Sequence, residues 1–308
     1  FGNSPTMVAI GDINGDGNSD VVIALTGEDR LSWHAGDGTG NFGPAQDIQG
    51  FVDVKFLSLA DAEGDGDLDI YAGNDTDIKI INNEDGLGTS WLLDWENDES
   101  LMEEMTVLLN IDFNGDGIMD FITDYSDDSG SDGTVFWAGL PADANKNGRI
   151  AQRLMDFNKT TTRNYTAFAV GDVDRDGDLD LVSAFTNSSG NHKIKWRPNI
   201  NDDDTFPFAS SLNDIVTVAD RINHIEAGDF NNDGWLDIIY WLANNTLHAV
   251  YYNPDNGNWD SFELADDLNA MNHMAAGDLN NDGNLDLLMV FNKEFKWLSN
   301  TGVTNGFG

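Results

Sequence analysis

Six nine-residue segments begin and end on Asp, carry Asp at the fifth position and Gly at the sixth, and hold Asn, Asp or Glu at the third. Each therefore offers four oxygen-bearing side chains and a sharp turn, the donor set of a hard cation, calcium above all. The first segment would bind through Asp12, Asn14, Asp16 and Asp20 with the carbonyl of Asn18, and the second through Asp61, Glu63, Asp65 and Asp69 with the carbonyl of Asp67. The third set is Asp112, Asn114, Asp116 and Asp120 with Ile118, and the fourth is Asp172, Asp174, Asp176 and Asp180 with Asp178. The last two are Asp229, Asn231, Asp233 and Asp237 with Trp235, and Asp278, Asn280, Asp282 and Asp286 with Asn284. About six calcium ions are expected, one per segment. Asp, Asn and Gly also favour plain β-turns. Three or four carboxylates in so short a span, however, repel one another unless a cation lies between them. An EF-hand is excluded, because it needs a bidentate acid at position 12, where Ile23, Ala72, Thr123, Ser183, Tyr240 and Met289 stand.

A second group of residues suits proton transfer. His224 and His273 each stand five residues before a segment, in Ile222-Asn-His-Ile-Glu-Ala-Gly-Asp and Met271-Asn-His-Met-Ala-Ala-Gly-Asp. The other segments have Met7, Phe56, Val107 and Ala167 at that place. Glu226 adds an acid where its counterparts are apolar or small, and an acid beside imidazoles can do general acid/base work. His224, His273 and Glu226 are thus the candidate catalytic residues, and Asn223, His224, Asn272 and His273 the candidate ligand site. Duplication of one hydrogen-bonded His from repeat to repeat explains the same pattern without any chemistry. The sequence has no phosphate-binding loop, nucleophile elbow, zincin helix or Cys nucleophile.

The elements around the segments decide how these residues are held. Runs such as Val21-Val-Ile-Ala and Asp237-Ile-Ile-Tyr-Trp are short, apolar and rich in β-formers, so each segment should join two strands. A repeat then reads strand, acidic loop, strand, polar turn, strand, Gly/Asn-rich turn, strand, recurring roughly every 50 to 60 residues. Radially repeated four-stranded antiparallel units of this size describe an all-β propeller. Six blades are expected, with seven the alternative, in a single domain spanning residues 1–308 whose ring is closed by the chain ends. Trp33, Ile80, Trp137, Trp196, Tyr251 and Trp297 recur on the third strands and are expected between blades as core.

The segments Gly11-Asp-Ile-Asn-Gly-Asp-Gly-Asn-Ser-Asp-Val-Val, Gly171-Asp-Val-Asp-Arg-Asp-Gly-Asp-Leu-Asp-Leu-Val and Gly277-Asp-Leu-Asn-Asn-Asp-Gly-Asn-Leu-Asp-Leu-Leu resemble FG-GAP repeats. These belong to the propellers of integrin α-subunit heads and of secreted VCBS-type proteins. The Phe-Gly signature itself survives mainly at Phe42-Gly43 and at the ends, Phe1-Gly2 and Phe307-Gly308. The resemblance implies that the calcium loops lie on one face, while the entries to the first strands gather Thr6, Lys55, Thr106, Thr166, Asn223 and Asn272 on the other. It also implies the range of functions found in such propellers: adhesion, lectin activity, scaffolding and, less often, polysaccharide lysis.

Composition narrows the partners. With 55 acidic against 15 basic residues the formal charge is −40, which leaves no basic footprint for nucleic acid or an anionic membrane. There is no Cys and no apolar run of membrane-spanning length. Calcium loops of this open kind fill where calcium is about 10⁻⁴ to 10⁻³ M, so an extracellular or cell-surface location is expected. The expected function is a non-catalytic module that binds a glycan or a protein, with an extracellular polysaccharide lyase or hydrolase, or a structural subunit of an extracellular assembly, as alternatives.

Overall fold

The apolar run after each acidic loop is the second strand of a sheet, and in several sheets it is covered on both faces. Asp20–Leu25, Asp69–Gly73 and Asp237–Leu242 are buried at every residue. That is why these strands read as continuous hydrophobic runs rather than as an alternation.

The computed structural model describes residues 5–49, 51, 53–62, 64–74, 77–96, 108–115, 119–126, 132–139, 150–154, 163–200, 208–209, 211–269, 271–291 and 294–302. The chain divides into two units, Phe1–Phe157 and Asn158–Gly308. In the first unit, β1 (Pro5–Gly11), β2 (Asp20–Leu25), β3 (Arg30–His34) and β4 (Gln46–Gln49) form one antiparallel sheet. The second sheet comprises β5 (Phe56–Ala60), β6 (Asp69–Gly73), β7 (Ile78–Asn83) and β8 (Trp91–Glu96). The third comprises β9 (Leu108–Ile111), β10 (Asp120–Ser126), β11 (Asp132–Gly139) and β12 (Ile150–Leu154). Strand β5 runs beside both β1 and β9, so the first strands of the three sheets are neighbours.

The second unit repeats the plan. Its first sheet is β13 (Arg163–Gly171), β14 (Asp180–Asn187), β15 (His192–Arg197) and β16 (Asn213–Val218). Next comes β17 (Ile222–Gly228), β18 (Asp237–Leu242), β19 (Leu247–Asn253) and β20 (Asn258–Ala265). The last sheet has three strands among the described residues, β21 (Met271–Gly277), β22 (Asp286–Phe291) and β23 (Phe295–Leu298). Here too the first strands, β13, β17 and β21, lie side by side.

Neighbouring sheets pack face to face. Val22, Leu31, Trp33 and Ile48 of one sheet meet Leu57, Ile70, Ala72 and Ile81 of the next in a single buried cluster. In the second unit, Val182, Ala184 and Ile194 meet Ile225, Ile238 and Val250, and Ile239, Ala249 and Tyr251 meet Met274, Leu287 and Met289. The third-strand aromatics mostly take the expected place: Trp33 and Tyr251 are buried, and Trp196 packs against the cluster beside it. Trp137 has its side chain outside the described residues. Trp297 departs from the expectation at 50% exposure.

Candidate metal loops and a histidine pair

All six acidic segments join the first and second strands of their sheets, and the described backbones of these loops bend the same way. The position-6 glycines Gly17, Gly66, Gly177, Gly234 and Gly283 have φ between +83° and +101°, a region that only glycine enters cheaply. Position 4 is also left-handed, at Gly15, Arg175, Asn232 and Asn281 among others. Arg175 is the costly exception there, and its guanidinium lies over the Trp235 ring at 4.8 Å, a cation–π contact that offsets some of the cost.

The first Asp of each loop turns inward. Asp12 Oδ1 accepts the Asp16 N–H at 3.1 Å and Oδ2 accepts the Gly17 N–H at 2.8 Å. Asp229 and Asp278 accept the matching pairs in their loops. Asn14, Asn231 and Asn280 at position 3 each accept the position-5 N–H, and Asp16, Asp65, Asp176, Asp233 and Asp282 at position 5 each accept the position-7 N–H. Asp61 and Asp112 hold their loops similarly, whereas Glu63, Asp116 and Ile118 lie outside the described residues.

The closing Asp has a role that spacing alone did not disclose. Asp20, Asp69, Asp120, Asp180, Asp237 and Asp286 are all fully buried. Their Oδ2 atoms accept the N–H of the second loop residue: Ile13, Ala62, Phe113, Val173, Phe230 and Leu279. In four of them Oδ1 accepts a second N–H from the end of the third strand or just beyond it, at Gly36, Asn83, Asn199 and Asn300. Position 9 therefore staples the loop to the sheet, and any bond to a cation uses the remaining lone pairs.

Two of those partners extend the network between sheets. Asn83 donates through Nδ2 to the Ile13 carbonyl at 2.8 Å, and Asn300 donates to the Phe230 carbonyl at 2.6 Å, each reaching 70 residues back to the loop of the preceding sheet. Their Oδ1 atoms accept the N–H groups of Gly88 and Gly302. The sequence signal was an Asn fourteen residues after the closing Asp, present at both places.

The fourth loop tests whether these residues suit a cation. Carboxylate oxygens of Asp172, Asp174 and Asp176 lie within 4.8 Å of one another. Asp172 Oδ1 is shielded from solvent and meets no hydrogen-bond donor among the described residues. Burial, then the charges of Asp176 and Asp172, push the Asp174 pKa up. A buried oxygen without a donor, beside a carboxyl whose pKa burial and its acidic neighbours raise, fits a divalent ion coordinated by oxygen. The first, third, fifth and sixth loops have Asn at position 3, so an amide oxygen stands where Asp174 has a carboxylate, and the second has Glu63. Burial pushes Asp180 up to about 6, and burial followed by the charge of Asp233 pushes Asp237 up to about 8.

The histidine pair is brought together as its spacing suggested. The His224 and His273 rings meet edge to face at 4.6 Å between centroids, and His224 Nε2 lies 3.0 Å from Glu226 Oε1. Asn223 and Asn272 occupy β-bulges in β17 and β21, between paired residues Ile222/His224 and Met271/His273. Thr6 and Thr166 occupy the same bulge in β1 and β13, where their hydroxyls reach the carbonyls of Val54 and Ala184. The bulge interrupts the ladder and leaves backbone groups to satisfy, which is a structural reason for polar residues there. Lys55 precedes β5, with its N–H bonded to the Gly73 carbonyl, and Thr106 lies outside the described residues.

A family model described as FG-GAP-like repeat matches residues 12–72, 172–240 and 229–289. Among curated proteins, none matches the sequence. Solved structures similar to the chain include an Agrocybe aegerita lectin with specific recognition of non-reducing terminal N-acetylglucosamine, at a TM-score of 0.66 and 17% identity over 98% of this chain and 78% of the lectin. BBS1N in complex with ARL6DN is similar at a TM-score of 0.56 and 13% identity, over 96% of this chain and 80% of that one. These likenesses establish an all-β, propeller-like fold. No helix among the described residues is long and apolar enough to cross a membrane.

Proposed function

Because the chain belongs to the FG-GAP-like repeat family, we propose that it is a calcium-stabilised β-propeller of six blades that binds a glycan without chemical turnover, outside the cell. The observation that carries the binding role is the likeness to the lectin along nearly the whole chain, 98% of it. Five four-stranded sheets and a sixth with three strands among the described residues support six blades. Calcium is supported by the cluster of Asp172, Asp174 and Asp176 and by the donorless Asp172 Oδ1. An excess of bound divalent cation outside the cell also offsets part of the −40 charge.

A protein ligand is the second reading, favoured by the likeness to BBS1N, which was solved with ARL6DN bound. The test is a glycan array probed with calcium-loaded protein, in which glycans ending in N-acetylglucosamine are the first to examine. Calcium-dependent binding to a defined set of glycans supports the lectin role. Silence across the array, from protein that melts cooperatively and carries its calcium, removes it in favour of a protein ligand.

A further inference from the structure

Away from the acidic loops, one cluster of side chains suits a metal of another kind. His224 on β17 and His273 on β21 stand on neighbouring first strands, each directly after the bulge of its strand. The 3.0 Å between His224 Nε2 and Glu226 Oε1 is now held by a hydrogen bond. It is also the spacing of two donors on one first-row ion, since bonds of about 2.0 to 2.2 Å meeting near a tetrahedral or octahedral angle leave their donors about 3 to 3.5 Å apart. A metal can replace the shared proton, which moves to Nδ1, so that the imidazole stays neutral and neither side chain has to shift far.

His273 supplies the third donor. Its side chain is exposed, and its ring nitrogens make no hydrogen bond among the described residues. Its nitrogens do not yet converge with the other two donors, and completing the set takes a change of rotamer that no hydrogen bond among the described residues opposes.

The remaining histidines are committed elsewhere. His34 holds Ser32 and the Gly43 carbonyl, His192 holds Thr186, and His248 holds Thr246 while stacking on Tyr240. Only His224 and His273 meet another histidine among the described residues. We infer that His224, Glu226 and His273 form a site for one divalent transition-metal ion, zinc or copper, distinct from the calcium loops. Imidazole nitrogen selects those ions over calcium, which takes oxygen donors throughout. The assignment does not depend on the glycan-binding role.

The experiment titrates zinc into protein held in millimolar calcium, so that the acidic loops are occupied, and follows uptake by calorimetry. One zinc per chain is expected, with a Kd of about 1 μM. His224→Ala and His273→Ala should each weaken uptake at least about tenfold, and Glu226→Gln should weaken it less. Copper added under the same conditions should show two nitrogen donors by electron paramagnetic resonance in the wild type and one in either His variant. Calcium-dependent melting of the variants serves as the control that they fold. Zinc uptake unchanged in the His224→Ala/His273→Ala double variant, copper spectra with oxygen donors alone, or no uptake by the wild type would each overturn the site.

Discussion

Replacing Asn300 by Ala should destabilise the second unit far more than the loss of one surface amide. The side chain is 1% exposed and makes three hydrogen bonds: Nδ2 to the Phe230 carbonyl at 2.6 Å, Nδ2 to the Leu285 carbonyl at 3.0 Å, and Oδ1 from the Gly302 N–H at 3.0 Å. Truncation strands all three partners. Phe230 is buried, so its carbonyl cannot recover a partner from water and should cost about 1 to 3 kcal/mol. Leu285 and Gly302 are half-exposed and can turn to solvent, so each adds nearer the net value of a hydrogen bond, about 0.5 to 1.5 kcal/mol. The expected total is about 2 to 6 kcal/mol. Urea unfolding in excess calcium measures it, with Asn269→Ala as the control, since Asn269 is exposed and should change stability by less than about 0.5 kcal/mol. Asn300→Asp sharpens the test. Its carboxylate puts an acceptor against the Phe230 carbonyl at neutral pH, and protonation restores one donor, so its deficit should shrink on acidification. An Asn300→Ala protein within about 0.5 kcal/mol of wild type would refute the idea that this amide joins the fifth loop to the sixth sheet.

Chelation should lower the melting temperature and calcium should restore it better than magnesium, because magnesium resists irregular cages of many oxygens; an unchanged melting curve with metal loss confirmed by elemental analysis would count against calcium in the loops. In chelator, stability should fall as pH rises from about 4 to about 8. Asp237, raised to about 8 first by burial and then by Asp233, keeps in the native state a proton that the unfolded chain releases near its ordinary value, so that contribution is whole at low pH and lost as pH passes through about 8. Asp180, raised to about 6, acts with the same sign over a narrower window. Thermal scans across that range check both, and Asp237→Asn should flatten the profile. Gly88→Ala should destabilise by about 2 kcal/mol or more, because Gly88 has φ +69° and a Cβ there would stand 2.8 Å from the Trp33 ring; equilibrium denaturation reads the loss.

The repeat itself was legible from residue types. Asp, Gly and Asp at fixed places, followed by an apolar run, define a strand–loop–strand unit because only a few backbone conformations accommodate them, and the antiparallel sheets follow from that local code. The approach of His224 to His273 was legible too, since equal offsets from successive loops put them at matching places on neighbouring strands. Other features waited on the tertiary structure. Asp20 and its five counterparts looked like ligands equal to the rest, yet burial and the N–H groups that converge on them, from the loop itself and from 14 to 19 residues further on, give them a stapling role. Only packing places Asn83 and Asn300 beneath the loop of the preceding sheet. Thr6 and Thr166 were read as members of a ligand-facing ring, whereas the bulges give their hydroxyls backbone carbonyls to reach. Sequence alone determined what is local, the turn conformations, the strand periodicity and the donor chemistry of each loop. The fold decided which donors remain available, because a side chain's partners depend on what burial removes from water and on which remote backbone groups arrive beside it.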